Sequence, residues 1–447
     1  MEGSKRASAD KRLSVACGEI NLLPVELIGT ILSYVSSARH VARASATCRK
    51  WREAVKCHLH RLNFDDSDFK FRRNSTDSDD DSSPLDDCRD VIITEAVMQA
   101  EHLHDLSISC AAYGAKLNAA VVVALLRHTK HSLKSLTLLT PVRPSCNVLE
   151  KLARNRSTIE SLVWGSAYLS GLTPRIHGIS SLVSLTLNKL SSGFLKYEDF
   201  LLLFSMFPKL EHLFLLNFRL ESQGASTIVI QTSVKTLSME KLSMGFTNLV
   251  VRGKNLESLS LVGMRLSALT LWGETAGDVH IQNLSIRSSS LEKLVLPGSL
   301  QSLLFWNTNI LQLFEACSLG SLSKVKLVKM EGLSAAWPAY SQIISMPSRK
   351  VNELHIFGGS PGTGIVDQLL AFKEMVALEL HTVMRHTDHA AFTQWIVKFL
   401  SCCPSLKRLV IVLEGPRTSY DDGHQFVGRR EYEGMYDEIL NIVENVV

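Results

Sequence analysis

The chain has 447 residues, 45% of them hydrophobic, and a formal net charge of +4. That hydrophobic share excludes a mainly disordered protein, and the length exceeds one average core, so several domains or a repeat array are expected. The longest apolar runs, such as AAVVVALL at 119–126, fall short of the roughly 20 residues that span a bilayer, and no Lys/Arg run with interleaved aromatics suggests nucleic acid.

The nine cysteines form no C-x-x-C pair and have no regular spacing, which predicts a reducing compartment, nucleus or cytoplasm. Residues 1–19 carry charge with no apolar stretch behind it, so they read as a disordered tail and not as a secretory signal. Residues 20–64 predict three short amphipathic helices. Pro24 suits a helix start, and Glu26 faces the positive end of the helix dipole. Leu27, Ile28, Ile31, Leu32 and Val35 follow at helical spacing. Val41, Ala44 and Cys48 mark a second helix, and Trp51, Val55, Leu59 and Leu62 a third. So small a core leaves apolar surface to be covered by something else.

The strings LPVELIGTIL, ASATCRKWREAV and HLHRLNF resemble the F-box motif. The resemblance implies three helices that dock a Skp-type adaptor and, through it, the cullin and RING subunits of a ubiquitin ligase. It places Leu23, Pro24, Glu26, Ile28, Ile31, Leu32, Val41 and Trp51 at or beneath that interface. A departure is SSARHVARASAT, where alanines replace bulkier residues usual in the second helix, a change expected to lower adaptor affinity.

Residues 65–90 hold ten Asp against four Lys/Arg and few apolar side chains, which predicts a disordered acidic linker. Within it Ser78, followed by three aspartates, is a candidate phosphosite, though a solvated spacer is the simpler reading.

From 91 to 414 the pattern L-x-x-L-x-L recurs: LHDLSI, LKSLTL, IESLVW, LVSLTL, LEHLFL, VKTLSM, LESLSL, LEKLVL, LQSLLF, LSKVKL, VNELHI, VALEL and LKRLVI. Most starts lie 22 to 31 residues apart, the spacing of leucine-rich repeats, in which each unit gives one short strand to a concave face. Between strands come helix-like stretches, YEDFLLLFSMFPKLEHL, TQWIVKFLSCCPSLKRL and GIVDQLLAFKEMVALEL, expected on the convex side. Between 256 and 305 the rhythm shortens and leaves no room for a helix, so 269–271 and 294–296 are expected to be short convex strands.

The loop GSPGTG at 359–364 is close to a phosphate-binding loop, but Ile365 and Val366 stand where that chemistry needs a lysine and a hydroxyl. It reads as a turn from strand to convex helix. His386 and His389 are three apart without a third ligand at zinc-like spacing, and H-E-x-x-H does not occur. No catalytic residue, metal or cofactor is expected. Residues 415–447 end in an amphipathic stretch carrying Tyr432, Met435, Tyr436, Ile439, Val443 and Val446, read as a cap on the last repeat.

Taken together the chain is similar to the plant-type F-box/leucine-rich-repeat (F-box/LRR) family. The expected fold is α/β: an N-terminal three-helix F-box followed by a leucine-rich-repeat solenoid, a horseshoe with parallel concave strands. The resemblance implies a non-catalytic substrate-recognition subunit of an SCF-type ubiquitin ligase, with two alternatives, a hormone-like small-molecule sensor and a non-degradative scaffold. On the concave face the residues beside the strand leucines are neutral in the N-terminal half. In the C-terminal half they include Arg287, Lys293, Trp306, Lys324, Lys326, His355, Phe357, His381 and Arg408, opposed mainly by Glu353 and Glu379, a candidate surface for an acidic or phosphorylated protein target.

Overall fold

The computed structural model describes residues 22–69, 85–110, 116–154, 157–165, 179–188, 194–217, 219–221, 224–241, 243–244, 246–271, 281–287, 289–296, 299–306, 309–315, 323–328, 353–357, 375–383, 396–397, 400–401 and 403–414. Ser78, the GSPGTG turn, His386, His389 and the C-terminal amphipathic stretch lie outside them. The chain divides into two units, Met1–Leu210 and Glu211–Val447.

In the first unit three helices come first: α1 (Val25–Ser33), α2 (Ala38–Ser45) and α3 (Arg49–His58). Pro24 is the N-cap residue, so α1 starts one residue later than the sequence suggested, and Glu26 lies in its first turn. Ile28, Leu32, Val41, Ala54, Val55 and Leu59 are buried among these helices. Gly29 marks where α1 meets α3 most closely: a Cβ there would lie 2.3 Å from His58 Cβ and 2.6 Å from the His58 carbonyl oxygen. The third helix ends at His58, before Leu62. Arg61–Asp65 is instead a strand, with Leu62 and Phe64 turned into the core, and it pairs in parallel with Asp105–Ser109. The F-box-like segment is thus continuous with the repeat sheet.

The acidic segment also enters ordered structure at both ends, which narrows the linker expected over 65–90. Asp65 closes the first strand, and α4 (Leu85–Gln99) begins inside the acidic run. Ile93 and Val97 of α4 are fully buried, so this part buries enough apolar surface to order. The sheet continues through Ser135–Leu138, Ser161–Gly165 and Ser184–Asn188, each paired in parallel with the one before. The return segments carry α5 (Ala119–His128), α6 (Val148–Arg154) and α7 (Tyr197–Met206). The start of α5 is fixed by Asn118, whose side-chain oxygen accepts from the Ala120 N–H at 2.8 Å.

In the second unit, parallel strands follow in the order His212–Leu216, Thr236–Glu240, Ser258–Val262, Asn283–Arg287, Ser302–Trp306, Lys324–Val328, Glu353–Phe357, Ala377–Val383 and Arg408–Glu414. Where the repeats are shortest, the return segment is a strand too. Thr227–Gln231, Asn248–Arg252, Arg265–Leu271, Ser290–Leu296 and Asn309–Glu315 form a companion sheet, also parallel. The expected short strands at 269–271 and 294–296 fall in it. A strand covers about 3.3 Å per residue against 1.5 Å for a helix, so a short repeat can turn back only in extended form.

Strands of both sheets bury every second residue, as in Thr236–Glu240 and Asn248–Arg252. Leu237, Leu259, Leu249 and Leu269 are all completely buried, as period-two alternation requires. The alternate residues, Ser238 and Ser260 among them, stay half exposed on the opposite face. Among the described residues no helix is long and apolar enough to cross a membrane.

Candidate partner-binding surfaces

Helix α1 turns two apolar stripes in different directions. Ile28 and Leu32 face the core, whereas Leu27 (50% exposed), Ile31 (49%) and Tyr34 (81%), spaced i, i+4 and i+7, share the outer side. Leu22, just ahead of the helix, is exposed as well. Of the residues expected at or beneath an adaptor interface, Pro24, Glu26 and Ile31 lie on the surface, Leu23 and Trp51 are half buried, and Ile28, Leu32 and Val41 are core. Sequence reasoning did not single out Leu22, Leu27 or Tyr34 as contact residues. The available signal was that α1 has more apolar positions than one buried stripe needs.

This surface is held rigidly to the first strand. Asp68, in the turn after that strand, takes a hydrogen bond from the Ser37 hydroxyl and another from the Arg39 N–H at 3.0 Å, and its second oxygen accepts from the Asp65 N–H at 2.9 Å. A carboxylate from outside the helix therefore caps the positive end of α2. Asn63 Nδ2 donates to the Ser36 carbonyl at 2.8 Å, and the Ser33 hydroxyl accepts from the His60 N–H at 2.9 Å. Near the same junction the rings of His60 and His104 stack with centroids 4.7 Å apart. Burial, reinforced by His60 and Lys134, pushes the His104 pKa below its ordinary value.

A cleft of about 420 Å³ opens between the end of α1 and the sheet. Tyr34, Ser36, Arg61, Asn63, Asp105 and Thr137 are among the residues lining it. Arg61 and Asp105 face each other across neighbouring strands, Nη2 to Oδ2 at 3.3 Å.

On the second unit's sheet the register arranges the half-exposed face in rows. One row runs Thr236, Ser258, Asn283, Ser302, Lys324, Glu353, Ala377, Arg408. The next runs Ser238, Ser260, Ser285, Leu304, Lys326, His355, Glu379, and the third holds Glu240, Val262, Arg287, Trp306, Val328, Phe357 and His381. Eight of the nine residues expected on the charged surface therefore fall on these rows. The side chains of Lys326, Phe357 and His381 lie outside the described residues.

Lys293 is the exception. It belongs to Ser290–Leu296 of the companion sheet, where it pairs in register with Ala268. The pattern LEKLVL misled because a companion strand also buries leucines, here Leu291 and Leu294, just as a main-sheet strand does.

The two carboxylates expected to oppose the charges on these rows, Glu353 and Glu379, are paired with them. Lys324 Nζ lies 2.7 Å from Glu353 Oε2, and His355 sits between Glu379 at 2.5 Å and Glu353 at 3.5 Å. The hydrogen bond from Lys324 holds the Glu353 carboxyl below its ordinary range, opposed by burial and aided by His355. Much of the expected positive field is thus neutralised within the sheet. Arg287 differs: its guanidinium carbon lies 5.7 Å from the Trp306 ring centroid.

A family model described as F-box-like matches residues 20–64, the segment that folds into α1 to α3 and most of the first strand. Over 421 residues, 88% of this chain and 90% of the other, the sequence is 27% identical to an F-box/LRR-repeat protein of Arabidopsis thaliana.

Proposed function

We propose, from the F-box-like match at residues 20–64 and the likeness of most of the chain to an F-box/LRR-repeat protein, that this protein is a plant-type F-box/leucine-rich-repeat protein and the substrate-recognition subunit of an SCF-type ubiquitin ligase. The observation that carries the proposal is the outer stripe of α1. Leu27, Ile31 and Tyr34 lie exposed within the F-box-like segment, next to a fully formed core that does not need them. Apolar surface kept out of a core in this way is suited to a partner, here a Skp-type adaptor linked to cullin and RING subunits.

The half-exposed sheet face then receives the target protein. The chain contributes no acid, base or nucleophile; it raises the local concentration of a target lysine near the ubiquitin-loaded enzyme. The site of action is the nucleus or the cytoplasm. A second reading, a small-molecule sensor of the same architecture, is favoured by the cleft beside Tyr34 and Arg61.

Affinity capture of the full chain, with ligase turnover inhibited, tests the proposal. Adaptor and cullin should be recovered together with a target that the reconstituted complex ubiquitinates. A recovered target that is never ubiquitinated would leave a non-degradative scaffold, and a target captured only when a small molecule is added would mark the sensor. Point substitutions serve better than deletion of residues 20–64, because the deletion would strip Arg61–Phe64 from the edge of the sheet.

A further inference from the structure

On the second unit's sheet, Thr236, Ser258, Asn283 and Ser302 form one row and Ser238, Ser260 and Ser285 the next. None of these side chains is longer than asparagine, so an extended segment can approach the strands closely. Beside them, Arg287 and Trp306 occupy paired positions on neighbouring strands. Arg287 Nε donates to Ser285 Oγ at 3.2 Å, and its guanidinium packs over the Trp306 ring. Two contacts thus hold the arginine in place while both side chains remain exposed, Trp306 by 36%.

The charge balance distinguishes this pair from its neighbours. Lys324 and His355 are already matched by Glu353 and Glu379. Arg287 meets no carboxylate among the described residues. A preorganised cation beside an exposed indole, next to a shallow hydroxyl-lined surface, combines the two residue types most enriched where binding energy concentrates. A bound chain would also exclude water from the pair and strengthen both the ionic and the cation–π interaction.

We propose that Arg287 and Trp306 anchor an extended segment of the target in which an Asp or Glu carboxylate pairs with Arg287 and an adjacent apolar side chain packs on Trp306. The inference rests on the receptor reading and names the class of peptide that the sheet face takes. A carboxylate fits better than a phosphorylated side chain. A phosphate monoester carries nearly two negative charges at neutral pH, whereas the pair offers one positive charge and Lys324 is held by Glu353.

The test is selection of a displayed library of random linear peptides on the full-length protein, followed by affinity measurements with the resynthesised sequences. Enriched peptides should carry Asp or Glu beside an apolar residue. Their affinity should fall at least about tenfold on Arg287→Ala, on Trp306→Ala, or when the peptide carboxylate is changed to the amide. Arg287→Lys should recover part of the loss. Unchanged melting of the variants separates lost binding from lost folding, and the amide peptide makes the same test on the unaltered protein. The proposal is overturned if no peptides are enriched, if those enriched lack a carboxylate, if Arg287→Ala binds them equally well, or if phosphoserine in place of the acidic residue binds tighter. Adaptor capture is scored separately, so that its absence counts against the receptor reading and not against this site.

Discussion

Helix α1 and the repeat strands divide buried from exposed positions by the same geometric logic and arrive at opposite surfaces. In strands such as Thr236–Glu240 and Ser258–Val262 the inward positions are Leu237, Met239, Leu259 and Leu261 and the outward ones include Thr236, Ser238, Ser258 and Ser260, so folding alone accounts for the pattern there. In α1 the inward positions are Ile28 and Leu32, and the outward ones, Leu27, Ile31 and Tyr34, are apolar too. Folding accounts for only half of that helix. At about 25 cal/mol for each Å² of apolar surface removed from water, the outer stripe is stabilised only when another molecule covers it. Under the proposed function the sheet face takes selective contacts with a target and α1 the attachment to an adaptor.

The largest expected effect tests the sheet side of this contrast. Leu259→Ala should destabilise the protein by about 2–5 kcal/mol, since the side chain is completely buried. Ser260→Ala should change stability by less than about 0.5 kcal/mol. Denaturant unfolding checks both, and equal effects would invert the assignment of faces.

On the α1 side, Gly29→Ala should cost about 1–3 kcal/mol, even though alanine is the better helix former. The new methyl would meet the His58 backbone, so α1 and α3 must separate. A neutral or stabilising result in thermal unfolding would show the inner face of α1 to be looser than described.

The smallest effect concerns the junction of the two regions. Because the folded-state pKa of His104 lies below its ordinary value, the unfolded chain takes up the proton first as the pH falls. The stability that His104 provides is complete above the ordinary histidine pKa of about 6.5 and declines as the pH drops from there through the lowered folded value. His104→Gln should flatten that decline. Parallel losses for both proteins in unfolding measured from about pH 7 to pH 5 would assign the acid sensitivity to other groups.

The repeat register was legible in the sequence because two-residue alternation leaves little choice. A leucine at 237 or 259 faces inward, and a one-residue shift would expose every leucine of the strand. The second sheet was legible only as shortened spacing, and the buried leucines common to both sheets misplaced Lys293. For α1, periodicity showed the apolar residues and not their division, because Leu27/Ile31 and Ile28/Leu32 are adjacent stripes on one helix. Asp68 carried no local signal either. It sits in an acidic run read as linker, and its capping of α2 depends on a strand and turn that bring it back over a separation of about thirty residues.

The central claim is that the outer stripe of α1 is a docking face and not part of the fold. Calorimetric titration of a purified Skp-type adaptor into the full-length Leu27→Ala, Ile31→Ala protein, with the melting temperature measured on the same sample, tests it most directly. The account predicts an affinity loss of roughly 2 kcal/mol or more, about thirtyfold, with melting close to that of the unaltered protein. Unchanged affinity, or a loss of binding that simply follows a fall in melting temperature, would contradict it.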